Sequence, residues 1–122
     1  MRPKILLLGS TVNGVATVLA PLAEVSVATD LAQAEHWAER GQVYDMIVCG
    51  AKTAMECLRL RRLTRAFPLT HPKHVLCVWF GEPSLAQALA RRTGYLVLAP
   101  AEASRRLLEQ VRAVGVETGP SA

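Results

Sequence analysis

The sequence predicts a doubly wound α/β domain, with five parallel strands and five helices wrapped around them. Three observations predict it. Tyr44 to Gly50, YDMIVCG, holds a continuous apolar run, Met46-Ile47-Val48-Cys49, that Gly50 ends. A run this short and apolar on both faces suits a strand buried on both sides of a parallel sheet, whereas a buried helix needs at least about ten residues. Four further short apolar runs alternate with segments of helical spacing, the pattern of strands joined by crossover helices. The length, 122 residues with 51% hydrophobic and 20% charged, allows one soluble domain and argues against a second.

In chain order, Lys4–Leu8 is the first strand and Gly9-Ser10-Thr11-Val12-Asn13-Gly14 a turn-rich loop. Val15, Val18, Leu19 and Leu22 recur at helical spacing, which predicts a helix over about 13–22 with Pro21 close to its end. Glu24–Ala28 alternates and is rich in valine, as a short strand is. Thr29-Asp30 supplies a cap, because a side-chain oxygen there accepts an orphan backbone N–H of the next helix. That helix runs from Leu31 to about Arg40, with Leu31, Ala34, Trp37 and Ala38 inward and Gly41 as its stop.

After the central strand a third helix is expected over about 53–66, with Leu60, Leu63 and Phe67 on one stripe and Arg59, Arg62 and Arg65 on another. Pro68–Lys73 is loop, and His74–Trp79 is the fourth strand. Glu82-Pro83-Ser84 opens a helix over 85–92, with proline in its first turn. Gly94 closes it, and Tyr95–Leu98 is the fifth strand. The last helix covers 101–114, with Leu107, Leu108, Val111 and Val114 inward. Residues 115–122 read as a flexible tail or the start of a linker. The domain is therefore 1–114. Right-handed crossovers at this size give a flavodoxin-like sheet of strand order 2-1-3-4-5.

Several function classes fall away on composition. Every apolar run is shorter than the roughly 18 residues of a membrane span. The N-terminal run Ile5–Leu8 is too short for a signal peptide, which places the chain in the cytoplasm. Cys49, Cys57 and Cys77 are odd in number and lack CxxC spacing, so neither a disulfide framework nor a zinc site is indicated. His71 and His74 stand three apart with no acidic or thiol companion, so no metal is expected there. Net charge is +4, and most of the excess is arginine: Arg59, Arg61, Arg62 and Arg65, then Arg91-Arg92 and Arg105-Arg106. With acids nearby and no aromatic residues between them, these read as solvated helix faces. Nucleic acid is then a partner only weakly or indirectly.

Over about residues 4–114 the chain resembles a response-regulator receiver domain, the CheY-like family. KILLLGS is similar to that family's first strand, and EVSVATDLAQAEHWAERGQVYDMIVCG matches its second strand, second helix and third strand in spacing. HVLCVWF resembles the fourth strand, and GYLVLAP the Tyr-x-x-Lys-Pro end of the fifth. In that family two acids after the first strand hold Mg²⁺, an aspartate ending the third strand accepts a phosphoryl group, a Ser or Thr ends the fourth, and a lysine ends the fifth. Here those places hold Gly9 and Ser10, Gly50, Trp79 and Leu98. Tyr95 stands at the family's switch aromatic. Phosphoryl transfer depends on positioning and electrostatics, and each electrostatic element is missing. The resemblance thus implies a pseudo-receiver, with no enzymatic activity, cofactor or metal.

What the resemblance leaves is a phosphorylation-independent interaction module in signalling or transcriptional regulation. Its partner would be a protein, in the first place a second copy of the chain. The implied surface carries Arg91, Arg92, Tyr95, Glu102, Arg105, Arg106, Glu109 and Arg112, whose mixed charge is compatible with a two-fold contact. The alternative is a small ligand, a nucleotide or phosphorylated metabolite, held by Gly9, Ser10, Thr11, Asn13 and Gly14. That loop precedes a helix, whose N-terminal N–H groups favour anions, but it lacks a full dinucleotide or P-loop fingerprint. Asp30 lies where a ribose-binding acid could stand, and helix capping explains it more simply.

Overall fold

Met46–Ala51 forms the middle strand of the sheet, apolar on both faces because helices cover both. The computed structural model describes residues 2–9 and 13–118. Its strands are β1 (Lys4–Leu8), β2 (Glu24–Ala28), β3 (Met46–Ala51), β4 (Val75–Trp79) and β5 (Leu96–Leu98). All pair in parallel in the order β2-β1-β3-β4-β5. This is the doubly wound, flavodoxin-like arrangement, in which consecutive parallel strands need helical crossovers that pack on the two faces.

The helices are α1 (Asn13–Leu19), α2 (Leu31–Glu39), α3 (Ala54–Arg59), α4 (Arg62–Ala66), α5 (Ala86–Thr93) and α6 (Pro100–Thr118). Alternation along the strands divides the core in two. One layer joins Leu6, Ile47, Cys49, Cys77 and Trp79 to α2, α3, α4 and α5. The other joins Ile5, Leu7, Val48, Leu76 and Leu98 to α1 and α6, whose inner row is Ala103, Leu107, Val111 and Val114. Edges are tied by polar contacts. Asp45 accepts from Lys4 N–H through its carboxylate (2.8 Å) and donates its own N–H to Lys4 O (2.8 Å), which pins the entry of β3 to β1.

Three boundaries depart from the sequence expectation, each for a local reason. Helix α1 stops at Leu19 rather than at Leu22, because Ala20-Pro21 cannot continue it. Its inner row includes Ala16 and Leu19, continued past its end by Ala23, so Val18 (54% exposed) and Leu22 face solvent instead of the core. The third crossover is not one helix but two, α3 and α4, broken at Leu60-Arg61. There the amides of Leu63 and Thr64 bond the carbonyls three residues back, at Leu60 and Arg61 (2.8 and 3.2 Å). Finally, α6 runs through Thr118, so residues 115–118 continue the last helix. The remainder of the expected tail, 119–122, lies outside the described residues. Among the described residues no helix is long and apolar enough to cross a membrane.

Candidate functional site

The strand ends are where an open parallel sheet can hold chemistry. Strand β1 leaves the sheet at Gly9, whose N–H bonds Ala28 O (2.9 Å) and whose φ of 93° suits a residue without a Cβ. Strand β3 ends in Gly50-Ala51, with Gly50 in register with Val78 and Ala51 with Trp79. Strand β5 ends at Leu98, in register with Val78. Ser10 and Thr11 lie outside the described residues. Asn13 and Gly14 open α1.

The four described corner residues do not share one cavity. Gly9 and Gly50 line a cleft of about 510 Å³, together with Leu8, Asp30, Lys52, Glu56 and Phe80. Trp79 turns into the core layer under α5, 2% exposed, and its Nε1–H donates to Glu82 O at 2.7 Å. Leu98 turns to the opposite layer, under α6. Alternation of side chains along β4 and β5 forces this split: Val78 and Leu98 share a face, and Trp79 takes the other. A smaller hollow of about 350 Å³ lies beyond the indole, walled by Gly81, Pro83, Ala86, Ala99 and Pro100.

The indole is held tightly by its own loop. A Cβ placed on Gly81 would lie 2.5 Å from Trp79 Cζ2 and 2.5 Å from the Lys52 carbonyl oxygen. Only glycine lets the chain pass over the ring at this distance.

Tyr95 corrects an expectation. Placed by the sequence reading on the outer face beside Arg91 and Arg92, it is instead buried, 3% exposed, and its hydroxyl donates to Leu60 O at 2.7 Å. That carbonyl sits at the break between α3 and α4, where the helix ladder leaves it room for a second donor. Burial pushes the phenol up to about 12. The rest of the expected face is outward: Arg91, Arg92, Arg105, Glu109 and Arg112 are exposed, and Glu102 and Arg106 are half-exposed and pair across one turn (3.9 Å).

The three cysteines, far apart in sequence, come together. Cys49 and Cys77 are register partners on β3 and β4, and Cys57 reaches Cys77 from α3; all three are fully buried. Hydrogen bonding to Cys77, then burial, pushes the Cys57 thiol well up. Cys77 is likewise pushed up, first by its hydrogen bond with Cys49. Thiols held protonated in this way are poor nucleophiles and poor metal ligands. Among the described residues no cluster of three His, Cys, Asp or Glu side chains is arranged to hold a metal ion.

The Arg59–Arg65 run is drawn partly into structure. Arg62 reaches across to Glu35 of α2 at 2.6 Å, and Glu35, Glu39, Arg62 and Arg65 line one hollow of about 400 Å³ between α2 and α4. Acids interleaved with the arginines break up a phosphate-tracking stripe. Sequence reasoning missed the cleft residues Lys52, Glu56, Arg59 and Phe80 as a group; the one local signal, Thr53-x-x-Glu56 as a capping pair, bears on Lys52 and Glu56 alone. No protein-family model matches the chain, and no curated protein matches it significantly.

Proposed function

We propose that the chain is a receiver-like module that works without phosphorylation, by presenting a surface to a protein partner in signalling or transcriptional regulation. The observation that carries this reading is the Trp79 indole. It stands at the position where the resemblance puts a phosphate-sensing hydroxyl and is turned into the core under α5, anchored by Glu82 O and roofed by Gly81. With Gly9 and Gly50 at the places of a metal-binding and a phosphoacceptor acid, no side chain at those two places can hold the metal or accept a phosphoryl group. Incubation with acetyl phosphate and Mg²⁺, followed by intact-mass measurement, is expected to leave the mass unchanged; stoichiometric addition of one phosphoryl group would sink the proposal.

The surface in question is made by α5 and α6. It carries Arg91, Arg92, Arg105, Arg106 and Arg112 against Glu102 and Glu109, and the Glu102–Arg106 pair neutralises part of this internally. Such a surplus of arginine complements an acidic partner better than a second copy, although a two-fold contact remains open through Arg105 or Arg112 meeting Glu109. The two versions respond oppositely to salt. Self-association through a like-charged face strengthens as salt screens the repulsion, and capture of an acidic partner weakens. Light scattering of the wild type and of Arg105→Glu across a salt series tests this: a monomer at every concentration removes the dimer, and an Arg105→Glu variant that associates unchanged removes the face.

A further inference from the structure

The cleft at the ends of β1 and β3 sits where the strand order reverses, since β1 lies between β2 and β3. In open α/β sheets that crevice is the favoured place for a ligand. Its volume, about 510 Å³, falls within the range of small-molecule sites, about 300–1,000 Å³. Its make-up is uneven in a way that packing alone does not require. The floor is apolar, with Leu8 and Leu60 buried and Leu31 half-buried. At the rim stands Phe80, whose N–H is tied to Ala51 O (2.8 Å) while the residue stays 42% exposed. An aromatic ring fixed by its backbone and left facing a cleft is a stacking surface for a planar partner.

The charges around the cleft are not matched to one another. Glu56 Oε2 accepts from the Lys52 backbone N–H (2.7 Å), and Asp30 Oδ1 accepts from Gln33 N–H (2.8 Å). Both carboxylates therefore act first as helix caps. Among the described residues neither the Lys52 ammonium nor the Arg59 guanidinium has a carboxylate within 4.0 Å. Two cations without ion-pair partners, one of them a guanidinium able to grip an anion through two N–H groups, call for an anionic group such as phosphate. The second oxygen of Asp30 is left as an acceptor for hydroxyl donors.

We infer that this cleft binds a nucleoside monophosphate, with the phosphate on Arg59 and Lys52, the base on Phe80 above the apolar floor, and the ribose hydroxyls donating to Asp30. A free inorganic anion would use the cations alone and leave the ring and floor empty. A neutral nucleoside would use the ring and leave the cations unpaired. The site shares no residue with the arginine face of α5 and α6, so it stands or falls separately from the interaction reading.

The test is an amide NMR titration of the full chain with adenosine 5′-monophosphate, and in parallel with adenosine and with inorganic phosphate. The monophosphate is expected to move the amides of Gly50, Lys52, Arg59 and Phe80 in a saturable way. Adenosine and phosphate are each expected to bind at least roughly tenfold more weakly, and Arg59→Ala to weaken the monophosphate by about tenfold, the scale of one charge-assisted contact. Arg59 is exposed, so the same spectra show that Arg59→Ala keeps the fold. The inference is overturned if no saturable shift appears up to about 10 mM, a dissociation constant too weak for a built site. It is equally overturned if inorganic phosphate binds as tightly, if shifts gather instead on the arginines of α6, or if Arg59→Ala leaves the affinity unchanged.

Discussion

Tyr95 shows how one buried hydroxyl ties the entry of β5 to a distant crossover. Its O–H donates to Leu60 O within a buried site, at the point where the helix ladder breaks. Tyr95→Phe is expected to cost about 1 kcal/mol, the net worth of one such bond, because Leu63 N–H still satisfies the carbonyl. The phenol sits above its ordinary value, so the neutral form is the one that folding favours. Stability from this group is full below about pH 10, its unfolded value, and is lost as pH rises toward about 12. Urea unfolding of the two proteins at pH 9 and pH 11 checks it: the gap in stability should narrow at the higher pH. Gly81→Ala is the companion test in the same core layer, at Trp79. The added methyl meets a backbone carbonyl as well as the indole, so overpacking is expected to cost about 1–3 kcal/mol. An unchanged melting temperature would mean that the loop over Trp79 is not held as described.

At the scale of elements, short helices survive by their caps. Helix α3 has six residues, far below the length that is stable alone. Thr53 Oγ1 accepts from Glu56 N–H (3.1 Å) and Glu56 Oε2 accepts from Lys52 N–H (2.7 Å), a reciprocal pair that fixes its first turn. Thr53→Ala is expected to cost about 1 kcal/mol and to raise hydrogen exchange in α3 ahead of the sheet; uniform exchange would show that tertiary contacts alone hold the helix. The strands were legible at this scale almost residue for residue: β1 and β2 match the expected spans, and β3, β4 and β5 differ only at their ends. Helix α2 was legible too, because the Asp30 cap and Gly41 at φ 86° bracket it. The break between α3 and α4 was not. The contact made there, from a tyrosine 35 residues away, leaves no trace in local periodicity.

For the molecule as a whole, the buried thiols test whether the core is closed. Cys49, Cys57 and Cys77 are expected to resist a thiol reagent such as 5,5′-dithiobis(2-nitrobenzoate) in buffer and to react, all three, in denaturant. Rapid labelling of the native chain would mean that the layer between the sheet and α3 opens readily. The two-layer division also explains why the site was only half readable. That glycine, tryptophan and leucine stand at the strand ends was readable, since identity is local; which layer each side chain joins was not.

The sequence by itself determined the strands, their parallel winding and the uncharged residues that end β1, β3, β4 and β5, because hydrophobic period and residue type are local properties. Only the tertiary structure decided which face each strand-end side chain joins, where Tyr95 turns, and that Lys52, Arg59 and Phe80 border one cleft. Those relations depend on register between strands and on contacts tens of residues apart, and neither is written in any single stretch of chain.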